Sequence, residues 1–126
     1  MKKFNTTLGE LYNIRKSIFS NDIVNMAFSR KGSLSVARNL KKIDEELTEY
    51  SKERDELIRK YSEDGTTMDK SNPKWDEFVE EFNSISSVET SIDINTIVEN
   101  DLPENCSPAS CLVLEFMIEN DITVED

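Results

Sequence analysis

The clearest pattern in the chain is a run of mainly apolar residues spaced alternately four and three positions apart. This is the a/d heptad register of helices that pack along one seam. No glycine or proline interrupts residues 33–62, so the pattern predicts one long helix there, about 42 Å in length. The predicted seam consists of Val36, Leu40, Ile43, Leu47, Tyr50, Arg54, Leu57 and Tyr61.

Two shorter segments precede the long helix. Thr7 and Glu10 match a capping box, in which the Thr side chain and the Glu side chain each accept a main-chain amide hydrogen at a helix start. An apolar stripe follows at helical spacing, so a first helix is predicted up to about Phe19. Residues 23–32 are predicted to form a short helix that Gly32 ends, because glycine is common just after a helix C-terminus.

Three elements are predicted after the long helix. Asn72 followed by proline predicts an N-cap and a helix over residues 73–86, and residues 88–94 alternate between apolar and polar, as in a β-strand. Ser107 followed by proline begins a last helix, which is apolar on nearly every side and is expected to be buried. The strand needs a partner, and the candidates are tail residues 122–124 and the turn region near Thr66.

These elements predict a single domain over residues 1–126 that is mostly α, with a minor β element. A parallel pair of long helices would place acid beside acid along the seam, whereas the first helix carries Arg15 and Lys16 beside its apolar stripe. We therefore expect the two helices to form an antiparallel hairpin, with additional C-terminal helices. A coiled-coil homodimer is the alternative, so the chain is expected to be a monomer or a homodimer.

The composition excludes several kinds of chemistry. The chain has no histidine, so Ser-His-Asp catalysis, Cys-His catalysis and His-containing zinc sites cannot be built. The glycines at positions 9, 32 and 65 cannot form the glycine-rich loops that bind nucleotide phosphates. Acidic pairs such as Asp76 and Glu80 could serve carboxylate chemistry, but they arise by chance among 26 acids. We predict no enzyme, no cofactor and no metal.

The apolar runs and the two cysteines indicate the compartment. The longest apolar run is residues 111–114, whereas a membrane span needs about 20 residues. Polar residues interrupt the start of the chain before a signal-peptide core could form. Cys106 and Cys111 lack the further ligands of a metal site and are expected to be reduced structural thiols. We expect a cytoplasmic protein that does not contact a membrane.

Charge is distributed unevenly along the chain. The formal net charge is −11, yet residues 1–42, the basic segment, hold nine Lys and Arg against two acids. The acidic segment is residues 73–126, of which residues 75–126 hold fourteen acids and no Lys or Arg. Either folding brings the two segments together, or the acidic segment remains an anionic surface for a charged partner.

The predicted helix over residues 73–86 concentrates the acidic charge. Its apolar face uses Trp75, Phe78, Val79 and Phe82, which leaves four acids on the other side. Their spacing is about one charge per 1.9 Å of helix rise, close to the roughly 1.7 Å of duplex DNA. The long helix adds a column of glutamates on its solvent side. The predicted partner-binding residues are Asp76, Glu77, Glu80, Glu81, Glu45, Glu49 and Glu53.

The predicted partner is a basic protein, for which a nucleic-acid-binding enzyme is a candidate, and not nucleic acid itself. The basic segment supports the opposite hypothesis, in which its side chains contact phosphates directly. We rank that hypothesis lower because such a face should lie within about one Debye length, roughly 8 to 10 Å, of a larger acidic field. The basic side chains concerned are Lys2, Lys3, Arg30, Lys31, Arg38, Lys41 and Lys42.

Four segments have a characteristic order: SLSVARNLKKIDEELTEYSKERDELIRKYSEDG, NPKWDEFVEEFNSI, VETSIDINTI and SPASCLVLEFMIEN. This order resembles small proteins of unknown function from phages and prophages of low-GC Gram-positive bacteria, over about residues 33–120. The resemblance implies a phage protein inside a bacterial host cell and assigns no site residues. Small acidic phage proteins often occupy the nucleic-acid site of a host enzyme, and others assist particle assembly. We therefore predict an inhibitor that mimics nucleic acid, with a scaffold protein that self-associates through the seam as the alternative.

Overall fold

The computed structural model describes residues 1–119, in which four α-helices and two β-strands are joined by turns and loops. The helices are α1 (Leu8–Ser20), α2 (Arg30–Tyr61), α3 (Trp75–Ser86) and α4 (Pro108–Leu114), and the strands are β1 (Lys2–Thr7) and β2 (Glu89–Ile94). Single 3-10 turns occupy Ile23–Asn25, Glu99–Asp101 and Glu115–Met117. The predicted fold class, mostly α with a minor β element, is confirmed.

The long helix α2 begins three residues earlier than predicted and contains Gly32. Its N-cap is Ser29, whose hydroxyl oxygen accepts the amide hydrogen of Gly32 at 3.0 Å. The prediction of a short helix over residues 23–32 is therefore wrong. A Cβ atom at position 32 would lie 2.9 Å from the main-chain oxygen of Asp101, so this glycine permits a close approach between segments and does not end a helix.

The strand predicted from the alternation of residues 88–94 is present as β2, and its partner is β1. The two strands are antiparallel, with Lys2 opposite Ile94 and Thr7 opposite Glu89. The turn region near Thr66 is not the partner, and tail residues 122–124 lie outside the described residues. β1 was not predicted because Phe4 is its single large apolar residue, too few for an alternating pattern.

The helices on either side of β2 differ from the prediction at their ends. α3 begins at Trp75, because Asn72 and the proline after it form a turn in which the Asn72 carbonyl accepts the Trp75 amide hydrogen at 3.0 Å. α4 begins at its predicted cap, Ser107, but ends at Leu114. The expectation that this last helix is buried on all sides is wrong, since Leu112 is 72% exposed while Leu114 is fully buried.

The core lies between α2 and the elements that surround it. Four residues of the predicted seam, Val36, Ile43, Leu47 and Tyr50, are buried within this one chain, and Leu40, Leu57 and Tyr61 are half-buried. The remaining buried apolar residues come from the surrounding helices, strand β2 and the connecting turns: Leu11, Ile18, Ile23, Phe78, Ile92, Ile94, Ile97, Leu114 and Met117.

Contacts between α1 and α2 pair later residues of one helix with earlier residues of the other. The rings of Tyr12 and Tyr50 lie 5.7 Å apart between centroids, and Arg15 forms an ion pair with Asp44. Thr7 caps α1 as predicted, since its side-chain oxygen accepts the Glu10 amide hydrogen at 3.2 Å. The return bond of the predicted capping box is replaced, because the Glu10 carboxylate accepts the Thr6 hydroxyl hydrogen at 2.9 Å. No helix within residues 1–119 combines the length and apolar character that crossing a membrane requires.

Candidate functional site

Aromatic side chains attach α3 to the C-terminal half of α2. The Phe78 ring lies 6.1 Å from the ring of Tyr61 and 5.7 Å from that of Trp75, measured between centroids. At the other end of α3, the hydroxyl groups of Ser86 and Tyr50 lie 2.8 Å apart. α3 therefore runs antiparallel to α2, and its apolar face is the one that the sequence predicted.

Three of the four predicted acids on α3 face solvent. Asp76, Glu77 and Glu80 are exposed, and within residues 1–119 the ion pairs of the structure involve none of them. None of the three therefore has a cation partner in the part of the chain that the structure describes. These three carboxylates, which we call the α3 acidic face, are the most exposed part of the predicted binding surface on this helix.

Glu81 differs from its three neighbours because it contacts α2. Its carboxylate lies 3.3 Å from the Lys60 ammonium nitrogen. The Tyr61 hydroxyl and this ammonium group hold the pKa of the Glu81 carboxyl below its usual value. Glu81 thus has a cation partner inside the chain, which reduces the charge it can offer to another protein.

The three predicted acids on α2 do not form one cluster with the α3 acidic face. Glu45, Glu49 and Glu53 are all exposed, and Glu49 lies 3.6 Å from Lys52 in a surface ion pair, a kind that contributes little energy. Glu53 is the member that reaches α3. The predicted acids are therefore spread over two helices, and Glu53 is a member that lines a groove shared with α3.

An open groove of about 340 Å³ joins Glu53 to α3. Its apolar lining comes from Leu57 and Ile85, and the lining also includes three acids and one cation. The sequence pattern did not identify the groove because it depends on how two helices pack. Its lining residues are Glu53, Glu56, Leu57, Lys60, Glu81, Ser84 and Ile85.

Over residues 1–119 the basic segment packs against the acidic segment through β1 and β2, where Lys3 lies opposite Asp93, but no ion pair joins the two segments. Among residues 1–42, Arg15 is the cation that forms an ion pair within the described structure, and its partner is Asp44 of α2. The Lys42 ammonium group donates to the main-chain oxygen of Asp93 at 2.8 Å. In residues 75–119, Glu81 is the acid whose ion pair is present. The two segments therefore do not neutralise each other pairwise over residues 1–119.

The length of α2 separates Lys31, at the start of this helix, from the α3 acidic face. α3 lies beside the last turns of α2, whereas Lys31 is in its first turn, about 45 Å from Tyr61 along a straight helix. This distance is several times the Debye length of about 8 to 10 Å. The α3 acidic face is therefore too far from Lys31 to screen it, whereas Lys3, Lys31 and Lys42 lie close to Asp93 or Asp101, as the predicted ranking of phosphate binding assumes.

In the loop between α2 and α3, the Asp64 carboxylate accepts hydrogen bonds from neighbouring residues of the same loop. The Asp64 carboxylate accepts the amide hydrogens of Thr66 and Thr67, both at 2.9 Å, and the Ser62 hydroxyl hydrogen at 2.6 Å. These bonds hold the pKa of Asp64 far below its usual value. Over the described residues, no set of three or more Cys, Asp or Glu is placed to hold a metal ion.

The chain was compared with protein-family models, with curated proteins and with solved structures. None of the three comparisons finds a match. The resemblance to phage proteins stays a prediction, and the geometry and charge described above are what support a function.

Proposed function

We propose that this chain is a non-enzymatic interaction protein that binds a basic protein partner through its acidic helical surface. In the phage setting, the partner is a host enzyme that acts on nucleic acid, and the acidic surface blocks the nucleic-acid site by mimicry. The proposed place of action is the cytoplasm of the bacterial host. The observation that carries the proposal is that Asp76, Glu77 and Glu80 are exposed and have no cation partner within residues 1–119.

The spacing of these carboxylates supports mimicry of a phosphate backbone. Residues 76 to 80 span about 6 Å of helix rise, so the three charges lie at a density comparable to that of successive phosphates. A basic cleft that binds nucleic acid presents Lys and Arg side chains whose attraction to phosphate is largely independent of base sequence. The same side chains can pair with carboxylates held at similar spacing.

We propose that α1 and α2 form an antiparallel helical hairpin, which acts as a rigid base for this surface. The contacts of Tyr12 with Tyr50 and of Arg15 with Asp44 support this arrangement. The stacked rings of α3 then fix the α3 acidic face to the base. A surface that is ordered before binding loses less conformational entropy when the partner binds.

The test measures capture of host proteins by the immobilised chain of residues 1–126. Wild type is compared with an α3 variant that combines Asp76→Asn, Glu77→Gln and Glu80→Gln. A control variant with the same change in net charge combines Glu99→Gln, Glu104→Gln and Glu115→Gln, whose carboxylates are exposed elsewhere. Captured proteins are identified by mass spectrometry and then purified for affinity measurements.

We expect wild type to capture a nucleic-acid-binding enzyme and to lose affinity by about tenfold or more between roughly 50 and 200 mM salt. Duplex DNA should displace the enzyme, and the α3 variant should bind it more weakly than the control variant. Salt-insensitive binding, or equal losses in the two variants, would contradict the proposal.

The alternative function is a scaffold or assembly protein that self-associates through the seam of α2. Such a protein would offer apolar seam residues to a second chain. In this chain Ile43 is fully buried and Leu47 and Tyr50 are each 2% exposed, so these residues are already packed. The geometry therefore favours the acidic surface over the seam as the binding element.

A further inference from the structure

The two cysteines lie on either side of the N-terminus of α4. Ser107 is the N-cap and a proline occupies the first helical position, so Cys106 is at N′ and Cys111 is at N4. Side chains at these two positions commonly contact each other in the hydrophobic staple, which fixes the angle at which a chain enters a helix. Here both members of the staple are thiols, and their sulfur atoms lie 3.4 Å apart.

Hydrogen bonds hold the backbone of both cysteines in place. The Cys106 amide donates to the Pro103 carbonyl at 3.2 Å, and the Cys111 amide donates to the Ser107 carbonyl at 2.9 Å. Ser107 also caps the helix, since its hydroxyl oxygen accepts the Ser110 amide hydrogen at 3.2 Å. The folded turn therefore holds the two sulfur atoms in contact.

We propose that Cys106 and Cys111 form a modification site, a thiol pair that a small-molecule disulfide such as glutathione disulfide converts into an intramolecular disulfide. Both thiols are free and half-buried. This thiol pair is separate from the α3 acidic face, because it lies on α4 and the segment before it.

The reaction is thiol–disulfide exchange in two steps. The Cys111 thiolate attacks one sulfur of glutathione disulfide, whose S–S bond breaks, and the first glutathione leaves as a thiolate. The Cys106 thiolate then attacks the protein sulfur of the mixed disulfide and displaces the second glutathione. The two protons from the protein thiols end on the two released glutathione molecules, so the protein is oxidised by two electrons and one glutathione disulfide is reduced.

Burial assigns the order of the two steps. Loss of solvent around Cys106, together with its contact with Cys111, raises the pKa of the Cys106 thiol to about 11, and a thiol that stays protonated is a poor first nucleophile. Once Cys111 carries glutathione, the Cys106 sulfur lies next to the Cys111 sulfur that it attacks. The second step therefore needs no large movement of the chain. The second step should accelerate as the pH rises, because the attacking group is the Cys106 thiolate.

The test places the reduced chain of residues 1–126 in glutathione buffers with a graded ratio of glutathione disulfide to glutathione, in native conditions and in denaturing urea. Free thiols and intact mass are measured after equilibration. We expect the native chain to lose both thiols and two hydrogen atoms. The ratio of glutathione disulfide to glutathione that achieves this should be about tenfold or more lower for the native chain than for the unfolded chain, because the fold raises the effective concentration of one thiol at the other. Equal ratios in the two states would overturn the proposal.

Single-cysteine variants check that the bond is within one chain. Cys106→Ser and Cys111→Ser each leave one thiol and should stop at a glutathione adduct, while wild type should lose two hydrogen atoms without an adduct. A wild-type chain that accumulates adducts at both cysteines, or that forms disulfide-linked dimers in place of the internal bond, would overturn the proposal as well.

Discussion

Asn39 has a fully buried polar side chain, although it lies in the middle of α2. This side chain forms hydrogen bonds with both main-chain polar groups of Asn95. Its carbonyl oxygen accepts the Asn95 amide hydrogen at 2.7 Å, and its amide nitrogen donates to the Asn95 carbonyl at 2.9 Å. An apolar residue at position 39 would leave both groups without these bonds. Buried polar groups that lose their partners destabilise the folded state strongly.

We predict that Asn39→Leu lowers the free energy of unfolding by about 2 to 4 kcal/mol, measured by urea denaturation. Asn13→Ala is the matched control, because Asn13 is exposed on α1, and it should change the free energy by less than about 0.5 kcal/mol. Similar values for the two variants would show that the bonds to Asn95 do not stabilise the fold.

Asp101 links the stability of the fold to pH. It is buried, and its carboxylate accepts the Ser29 hydroxyl hydrogen at 2.8 Å and the Val98 amide hydrogen at 3.1 Å. The Val98 amide and the Ser29 hydroxyl hold the pKa of Asp101 below its ordinary value of 3.8. A carboxyl whose pKa is lower in the folded state contributes stability above the unfolded-state pKa and loses it as the pH falls through the folded-state pKa.

We therefore predict that Asp101→Asn destabilises the chain at neutral pH, and that the difference from wild type decreases as the pH falls below 3.8. Denaturation curves at a series of pH values measure this difference. Glu104→Gln, at an exposed position nearby, should show no such trend. A difference that stays constant with pH would contradict the assigned role of the carboxylate.

At the scale of elements, the attachment of α3 to α2 depends on Phe78. This ring is buried and contacts the rings of Tyr61, Trp75 and Phe82. We predict that Phe78→Ala lowers the free energy of unfolding by about 3 to 4 kcal/mol. Fluorescence of Trp75, the single tryptophan, should report the transition, because this indole lies beside the substituted ring.

Phe19→Ala is the control for this prediction, since Phe19 is 46% exposed on α1 and should lose less than about 1 kcal/mol. The Phe78→Ala variant should also weaken partner binding through the α3 acidic face, even though it removes no charge. If a folded Phe78→Ala chain bound the partner as tightly as wild type, the α3 acidic face would not depend on the packing of α3 against α2.

The elements that the sequence predicts well are those with a strong local period. The spacing of four and three in α2, the cap and proline before α4 and the alternation in β2 are all readable from neighbouring residues. β1 cannot be predicted in this way, because it forms a strand by pairing with residues far away in the sequence. Its single large apolar residue, Phe4, does not make an alternating pattern. Gly32 was misassigned because its reason, the closeness of the Asp101 oxygen, exists only in the folded chain.

The candidate site follows the same rule. The exposure of Asp76, Glu77 and Glu80 is predictable, because they lie opposite the apolar face of one helix. The ion pair of Glu81 with Lys60 and the groove beside it are not, because both depend on the packing of α3 against α2. Sequence patterns thus located the charges, and tertiary contacts decided which of them remain free of cations in residues 1–119.

At the scale of the whole molecule, the burial of the seam predicts the state of association. Leu47 is 2% exposed inside its own chain, so we expect wild type to sediment as a monomer. Leu47→Lys should then lose most of its helical circular dichroism, because an unpaired charge would be buried in the core. Leu57→Lys, at a half-buried seam position, should remain more stable. A wild-type dimer that Leu47→Lys converts into a folded monomer would support the scaffold alternative instead.

The separation of charge along α2 also affects how the molecule meets a partner. Lys31 and Arg38 lie toward one end of a helix of 32 residues, and the α3 acidic face lies beside the other end. In the field of a strongly cationic surface, such a molecule experiences a torque that turns the α3 end forward before any atoms touch. Encounters in dilute buffer would then begin already aligned, and adding salt would slow association by making the approach random.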